Sequence, residues 1–200
     1  MMRRALILAA AWLVTACATS ETSRPAPILA RDAAGFTITE RARVSGGVRG
    51  DFEAALRLLE QEQYESGIAL LVEVTEAAPE LTAPHIDLAI AYGRVGNLEQ
   101  AEQSLAKAIE LDPRHPVALN ELGLVYRRTG RFADARRSYE TALAHYPGFH
   151  FARRNLAILC EVYLADPACA LEHYELYTRS VPDDETAAMW LADLRTRSGR

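Results

Sequence analysis

The three cysteines are the residues whose type and placement could support covalent chemistry. Cys17 lies near the N-terminus, whereas Cys160 and Cys169 lie nine positions apart in the last third of the chain. Thiols can form disulfides, bind metal ions or act as nucleophiles. A redox-catalytic pair is disfavoured, because the spacing is not Cys-x-x-Cys.

Other chemically active residues form no known catalytic pattern. The sequence contains no His-Glu-x-x-His, no Gly-x-Ser-x-Gly and no glycine-rich phosphate loop with lysine. The five histidines show no metal-ligand spacing on one helix: His85, His115, His145, His150 and His173. We therefore predict a protein that is not an enzyme, with no catalytic residue, no metal, no cofactor and no small-molecule substrate.

Charge excludes a further class of partner. Beyond residue 16 the chain carries 20 basic and 27 acidic side chains. A basic surface is needed to neutralise phosphates, so nucleic acid is not an expected partner. Hydrophobic residues make up 50% of the sequence, which is ample for one packed domain.

The N-terminal segment is typical of an export signal. Two arginines at positions 3 and 4 precede an apolar run from Ala5 to Val14. A run of about ten residues is too short to cross a bilayer of ~30 Å as a helix. The segment therefore predicts a cleaved signal peptide over residues 1–16.

The end of that signal resembles the bacterial lipobox, since Val14-Thr15-Ala16 precede Cys17. The resemblance implies lipidation of Cys17 as the first mature residue. Because Ala18 follows the cysteine, it also implies an outer-membrane lipoprotein that faces the periplasm of a Gram-negative bacterium. The alternative is soluble export with Cys17 merely nearby.

The following segment, residues 17–50, is rich in small and polar residues and is predicted to be a flexible tether. Phe36-Thr37-Ile38-Thr39 alternates apolar and polar residues, so it is either a short extended segment or disordered. Gly46, Gly47 and Gly50 predict a flexible edge before the folded part.

A 34-residue period begins after this tether. Pro79, Pro113 and Pro147 recur at this constant interval, and a period of this length indicates a repeat protein. Two central units agree at every key position: Leu88, Ala89, Tyr92, Gly96, Ala101, Leu105, Ala108 and Pro113, then Leu122, Gly123, Tyr126, Gly130, Ala135, Tyr139, Ala142 and Pro147. This pattern resembles the tetratricopeptide repeat.

The resemblance implies an all-α solenoid of about four helix-turn-helix units plus a C-terminal capping helix. We expect repeats over about 48–81, 82–115, 116–149 and 150–184, and a capping helix over 184–198, within a domain of residues 51–198. In the fourth unit the repeat positions of the second helix lie one residue further along the chain than the 34-residue period requires. This shift predicts an inserted residue near Asp166-Pro167, in the turn between the helices. The capping helix is expected to bury Met189, Trp190 and Leu194.

Cys160 and Cys169 remain as an even pair if lipid occupies Cys17. Antiparallel helices joined by a short turn can bring two such positions within bonding range. An exported protein is exposed to an oxidising compartment, so we predict a disulfide between them. The alternative is two buried free thiols.

The resemblance also implies a concave groove lined by the first helix of each pair, which binds a protein or peptide. Carried over position by position, its lining comprises Phe52, Leu56, Ile86, Ile90, Arg94, Asn120, Leu124, Arg127, Arg128, Phe151, Arg154 and Ile158. The four arginines could bind an acidic or C-terminal peptide, because guanidinium groups grip carboxylates with two hydrogen bonds. Asn120 would bond the peptide backbone. Alternatively, the arginines pair with glutamates of the same solenoid.

These observations favour a lipid-anchored periplasmic scaffold that binds protein partners in an envelope assembly. Membrane contact would come from the N-terminal lipid. Two alternatives stay open: an accessory subunit or regulator of a peptidoglycan-active or other envelope enzyme, and a structural oligomer.

Overall fold

The computed structural model describes residues 28–32, 35–39 and 44–199 of the chain, the first two ranges by their backbone only. The predicted signal peptide and the lipidation site at Cys17 lie outside the described residues.

A two-stranded hairpin precedes the helices. Strand β1, Ile28–Asp32, pairs antiparallel with strand β2, Gly35–Thr39, so that Ile28 lies opposite Thr39. The segment Phe36–Thr39 is therefore extended, which was one of the two interpretations of its alternating pattern.

From residue 44 to residue 199 the chain is all-α, as predicted. Each helix packs on the next one along the chain, and first helices also contact the first helices of neighbouring pairs. The helices are α1 (Gly46–Glu60), α2 (Tyr64–Ala77), α3 (Thr82–Arg94), α4 (Leu98–Leu111), α5 (Pro116–Arg128), α6 (Phe132–His145), α7 (His150–Ile158), α8 (Pro167–Ser180) and α9 (Glu185–Arg197).

Helix α1 begins inside the segment that was predicted to be a flexible edge. Ser45 caps it, because its side-chain oxygen accepts a hydrogen bond from the backbone N–H of Val48 at 3.3 Å. Gly46, Gly47 and Gly50 are therefore helical. The prediction of a tether up to residue 50 was wrong here, because glycine lowers helix propensity by only about 1 kcal/mol and a good cap offsets part of that.

The four turns between paired helices share one backbone feature. Each contains a residue with positive φ: Glu62, Gly96, Gly130 and Ala165, at 59°, 84°, 77° and 50°. In the first three turns, the backbone N–H after this residue bonds the carbonyl five positions earlier, as in Asn97 to Tyr92 at 2.9 Å. These bonds satisfy carbonyls that a helix end would otherwise leave free.

The fourth pair absorbs its extra residue at another place than predicted. After α7 the chain forms a π-helical turn, Leu159–Tyr163, and a π-turn accommodates one residue more than an α-turn. The backbone N–H of Asp166 then donates a hydrogen bond to the backbone carbonyl of Cys160, six positions earlier, at 2.9 Å. The insertion therefore precedes the positive-φ residue Ala165, and the predicted location at Asp166-Pro167 was wrong by a few residues.

The disulfide between Cys160 and Cys169 closes this irregular turn. Their Cα atoms lie 5.9 Å apart, and the bond ties the π-helical turn to the start of α8. Closing so short a loop restricts the unfolded chain and stabilises the fold by roughly 2–3 kcal/mol. Asp166 accepts a hydrogen bond from the N–H of Cys169 at 3.1 Å and so caps α8.

The same three residues are the one group among the described residues whose side chains could gather around a metal ion: Cys160, Asp166 and Cys169. The two sulfurs are bonded to each other and Asp166 caps a helix. These atoms therefore already serve structural roles.

The capping helix α9 buries Leu194 as predicted, but the prediction for Met189 was wrong. Ala187, Leu191 and Leu194 are buried, whereas Met189 is 62% exposed. Trp190 is half-buried, with its ring 6.2 Å from that of Tyr174. Asp184 caps the start of α9, because its side chain accepts a hydrogen bond from the N–H of Ala187 at 3.0 Å.

Candidate functional site

The concave side of the stacked pairs is lined by the first helices α1, α3, α5 and α7. Their central residues Leu56, Ile90, Leu124 and Ile158 recur at intervals of 34 and are all half-buried. Residues at one position of successive parallel helices form a row across the stack. This apolar row is the floor of the predicted groove.

An open crevice of about 240 Å³ lies between α3 and α5. It is lined by Ile90 and Leu124 from the apolar row and by Arg94, Glu121 and Arg128. The crevice thus brings together four residues that were predicted to bind a partner, and it adds one carboxylate.

Three of the four groove arginines form no ion pair among residues 44–199. Arg94 and Arg128 are exposed, and Arg128 donates a hydrogen bond to the carbonyl of Gly93 at 2.6 Å. Arg127 lies 6.0 Å from the Tyr163 ring centroid, and its buried Nη1 has no hydrogen-bond partner among those residues. Arg94 and Arg128 therefore keep donors free for an external acceptor, whereas the unpaired nitrogen of Arg127 is buried and Arg127 does not line the crevice.

Arg154 lies close to an acidic residue of the same solenoid, in line with the alternative interpretation of the groove arginines. Its Nε lies 3.9 Å from a carboxylate oxygen of Asp184, and its guanidinium lies 5.5 Å from the ring centroid of Trp190. Asp184 also accepts a hydrogen bond from the hydroxyl of Tyr177 at 2.7 Å. Arg154 therefore connects α7 to the capping helix.

Two predicted groove residues do not line an open surface. Ile86 is 4% exposed and packs in the core with Ala89. Asn120 is also 4% exposed; its amide donates to Glu121 at 3.0 Å and its carbonyl accepts from Asn155 at 2.9 Å. The prediction that Asn120 bonds a ligand backbone is therefore wrong, because its side chain links α5 to α7.

The remaining predicted residues stay near the surface. Phe151 is 42% exposed at the start of α7, and its ring centroid lies 5.5 Å from that of Phe149. Phe52 is half-buried beside Ala55 and Leu71 in the first pair.

Two carboxylates of the groove were missed. Asp87 and Glu121 stand one repeat period apart, three positions before Ile90 and Leu124, so the period alone could have found them. Burial raises the pKa of Asp87 to about 7, and it raises the pKa of Glu121 although Asn120 and Arg94 oppose the change. Asp87 has neither a hydrogen bond nor an ion pair from its side chain within residues 44–199, which makes it a candidate for binding.

Asp87→Asn should make stability less dependent on pH. The folded-state pKa of Asp87 lies above its ordinary value of 3.8, so stability is lost as pH rises towards and through about 7. Asp87→Asn removes this loss, so its free energy of unfolding should rise relative to that of the original protein by roughly 1–2 kcal/mol from pH 4 to pH 8. The gain is smaller than the pKa shift alone would give, because water reaches the groove. Urea denaturation at both pH values measures it.

Glu53→Gln is the control for this experiment, since Glu53 holds the equivalent position in α1 but is exposed. Its difference should stay within about 0.5 kcal/mol at both pH values. A constant difference for Asp87→Asn as well would show that the Asp87 carboxyl is solvated like a surface group.

Comparisons with known proteins agree with the architecture. Residues 86–148 and 122–162 match the model of the tetratricopeptide repeat family. The structure of pilF from Pseudomonas aeruginosa superposes with a TM-score of 0.70 at 22% identity, over 76% of this chain and 68% of that one. MamA from Desulfovibrio magneticus RS-1 superposes with a TM-score of 0.68 at 17% identity, over 78% and 88%. Residues 86–162 therefore match tetratricopeptide repeats, and the fold of the helical part is an all-α tetratricopeptide-repeat solenoid.

Two curated relatives share parts of the sequence. Photosystem I assembly protein Ycf3 from Synechococcus sp. (strain CC9605) is 32% identical over 108 residues, which cover 54% of this chain and 57% of that protein. A probable UDP-N-acetylglucosamine–peptide N-acetylglucosaminyltransferase SPINDLY from Petunia hybrida is 41% identical over 59 residues, 30% of this chain and 6% of that protein. The chain thus spans little more than half of one relative and a small part of the other. A role in binding proteins is consistent with this fold.

Within the described residues, no helix combines the length and apolar character needed to cross a bilayer.

Proposed function

We propose that this protein is a lipid-anchored adaptor of the bacterial envelope that holds a segment of another protein in its concave groove. The observation that carries the proposal is the crevice between α3 and α5, where an apolar floor meets arginines that form no ion pair in residues 44–199. A binding surface of this kind needs buried apolar contact for affinity and directed polar groups for specificity.

The arginines favour a partner segment that carries carboxylates. Arg94 and Arg128 flank the crevice with free donors, and Arg127 has a buried nitrogen without a partner among those residues. A carboxylate can accept two parallel hydrogen bonds from one guanidinium, and such bonds are stronger than neutral ones. The partner would thereby engage the free donors of Arg94 and Arg128 at the crevice.

The anchor part of the proposal rests on the N-terminal sequence. The apolar run and Val14-Thr15-Ala16-Cys17 support lipidation of Cys17 and placement in the outer membrane, facing the periplasm. Several acyl chains on one cysteine hold a protein at a membrane, whereas one chain gives only marginal affinity. The similarity to an assembly protein supports an adaptor without enzymatic activity of its own.

Site-specific photo-crosslinking in the native bacterium tests the proposal. A photoreactive amino acid replaces Leu124 in the groove or, as the matched control, the exposed Thr141 on α6. We expect a discrete adduct from position 124 that is at least about fivefold stronger than from position 141, and recovery of the adduct in the outer-membrane fraction.

Adducts of equal yield from both positions would contradict the groove. The same experiment in a Cys17→Ala background tests the anchor separately: the adduct should leave the membrane fraction. If it stayed there, lipidation of Cys17 would not be what holds the protein at the membrane.

A further inference from the structure

The concave face carries charge of opposite sign along its two edges. Three positions before the apolar row, the first helices carry an acid row of Glu53, Asp87 and Glu121. Four positions after it, α3 and α5 carry an arginine row of Arg94 and Arg128. Residues at i−3, i and i+4 share one face of a helix, so the acid row, the apolar row and the arginine row lie side by side.

The distance between the two charged rows follows from helix geometry. Seven positions separate Asp87 from Arg94, and likewise Glu121 from Arg128. At about 1.5 Å per residue this is about 10 Å along each helix, which is close to the ~10 Å diameter of a helix with its side chains. The groove is therefore about one helix wide between edges of opposite charge.

Asp87 is the part of the acid row that the protein itself does not neutralise. Its half-buried carboxyl has no hydrogen bond or ion pair from any side chain or backbone group of residues 44–199. Glu121, by contrast, accepts a hydrogen bond from Asn120 and is attracted by Arg94. A half-buried carboxylate gains most from an external cation, because burial weakens its solvation.

We infer that the groove binds an amphipathic helix of another protein, with basic side chains along one flank of its apolar stripe and acidic side chains along the other. The inference rests on the proposed function and refines its partner. The apolar stripe lies on the apolar row, the basic flank faces the acid row and the acidic flank faces the arginine row. Four first helices spaced by about 8–10 Å give a contact of about 30 Å, or about 20 helical residues.

Two other occupants fit the charges less well. A uniformly acidic segment would place carboxylates against Asp87 and Glu121, which repels them. An extended strand sends its side chains alternately to opposite sides, so it cannot fill a three-row surface about 10 Å wide. A helix presents an apolar stripe and two charged flanks at once.

Two synthetic 20-residue helical peptides of identical composition test the inference. Both carry a leucine stripe; one has all lysines on one flank and all glutamates on the other, and the second has both charges mixed on both flanks. The order of the flanks does not matter, because a helix can enter the groove in either direction. Fluorescence anisotropy with the full chain should show at least about tenfold tighter binding of the segregated peptide.

Variants of the acid row test whether its carboxylates cause the preference for the segregated peptide. Asp87→Asn combined with Glu121→Gln should weaken binding of the segregated peptide by about five- to tenfold and leave the mixed peptide within about twofold. Circular dichroism confirms that the variant keeps its helices. Glu73→Gln combined with Glu76→Gln, two exposed carboxylates of α2 that lie outside the three rows, is the matched control for charge, and we expect a change of less than about threefold.

Equal affinity for the two peptides, no binding of either, or unchanged affinity in Asp87→Asn/Glu121→Gln would overturn the inference. None of these results removes the proposed function, which depends on the crosslink from position 124. If that crosslink is found and the segregated peptide shows no advantage, the groove binds a protein segment with another charge pattern.

Discussion

Gly123→Ala should lower the free energy of unfolding by roughly 2–3 kcal/mol, although it adds a single methyl group. A Cβ at position 123 would lie 2.4 Å from Cε1 of Tyr139 and 2.7 Å from its Cδ1. Carbon atoms in contact prefer about 3.5–4.0 Å. Tyr139 is completely buried between the helices of the third pair, so its ring has no space to move into, and overpacking of this kind costs about 1–3 kcal/mol.

Gly93→Ala is the matched control for this prediction. Both glycines lie in first helices, but a Cβ at position 93 would meet nothing closer than Nη1 of Arg128 at 3.7 Å. Alanine there should stabilise the protein by up to about 1 kcal/mol through its better helix propensity. Urea denaturation of both variants measures the contrast; losses of equal size would show that the close approach at Gly123 does not limit the packing.

The sequence predicted the helix pairs well because their determinants are local. A single repeat unit contains both helices, the turn and the proline, so agreement between two units fixes the fold without long-range information. The contact of Gly123 was less predictable. The repeat pattern placed a glycine at position 123, but it did not indicate that the atoms closest to it belong to Tyr139.

The fourth pair shows where the pattern lost precision. In this pair the later repeat positions are shifted by one residue relative to the 34-residue period, which reveals an inserted residue. The shift does not reveal which backbone segment accommodates that residue. The structure places it in the π-helical turn before Ala165. A π-turn depends on backbone hydrogen bonds such as that from the N–H of Leu164 to the carbonyl of Leu159, for which the side-chain pattern carries no signal.

The binding surface was predictable in outline and not in its details. The repeat period correctly placed Ile90, Leu124, Arg94 and Arg128 on one crevice. It did not show that Asn120 is used between α5 and α7, because the hydrogen bond to Asn155 depends on how closely neighbouring pairs pack. Asp87 and Glu121 were missed for another reason: they lie outside the positions that the family resemblance implied for the groove, although they recur at the same interval.

Arg94→Glu combined with Arg128→Glu should reduce capture of the bound protein by at least about tenfold. Both side chains are exposed and line the crevice, so reversal of their charge changes the surface while the core stays intact. Two carboxylates would replace donors at the basic edge of the groove and repel the carboxylates of the partner segment. Since mutations of exposed residues away from the core change stability little, thermal unfolding should stay close to that of the original protein.

The matched control changes charge by the same amount elsewhere. Arg114, in the turn before α5, and Arg179, near the end of α8, are both exposed and lie outside the crevice. Arg114→Glu combined with Arg179→Glu should retain capture within about twofold. Comparison of the two double variants separates the effect of the groove from that of net charge.

The most direct measurement is a quantitative pull-down from cells of the source organism. It compares how much of the protein that crosslinks to position 124 is captured by the original chain and by each double variant. We expect Arg94→Glu/Arg128→Glu to lose at least about nine tenths of this protein and Arg114→Glu/Arg179→Glu to keep it. Equal capture by all three chains would contradict the claim that partners bind in the concave groove.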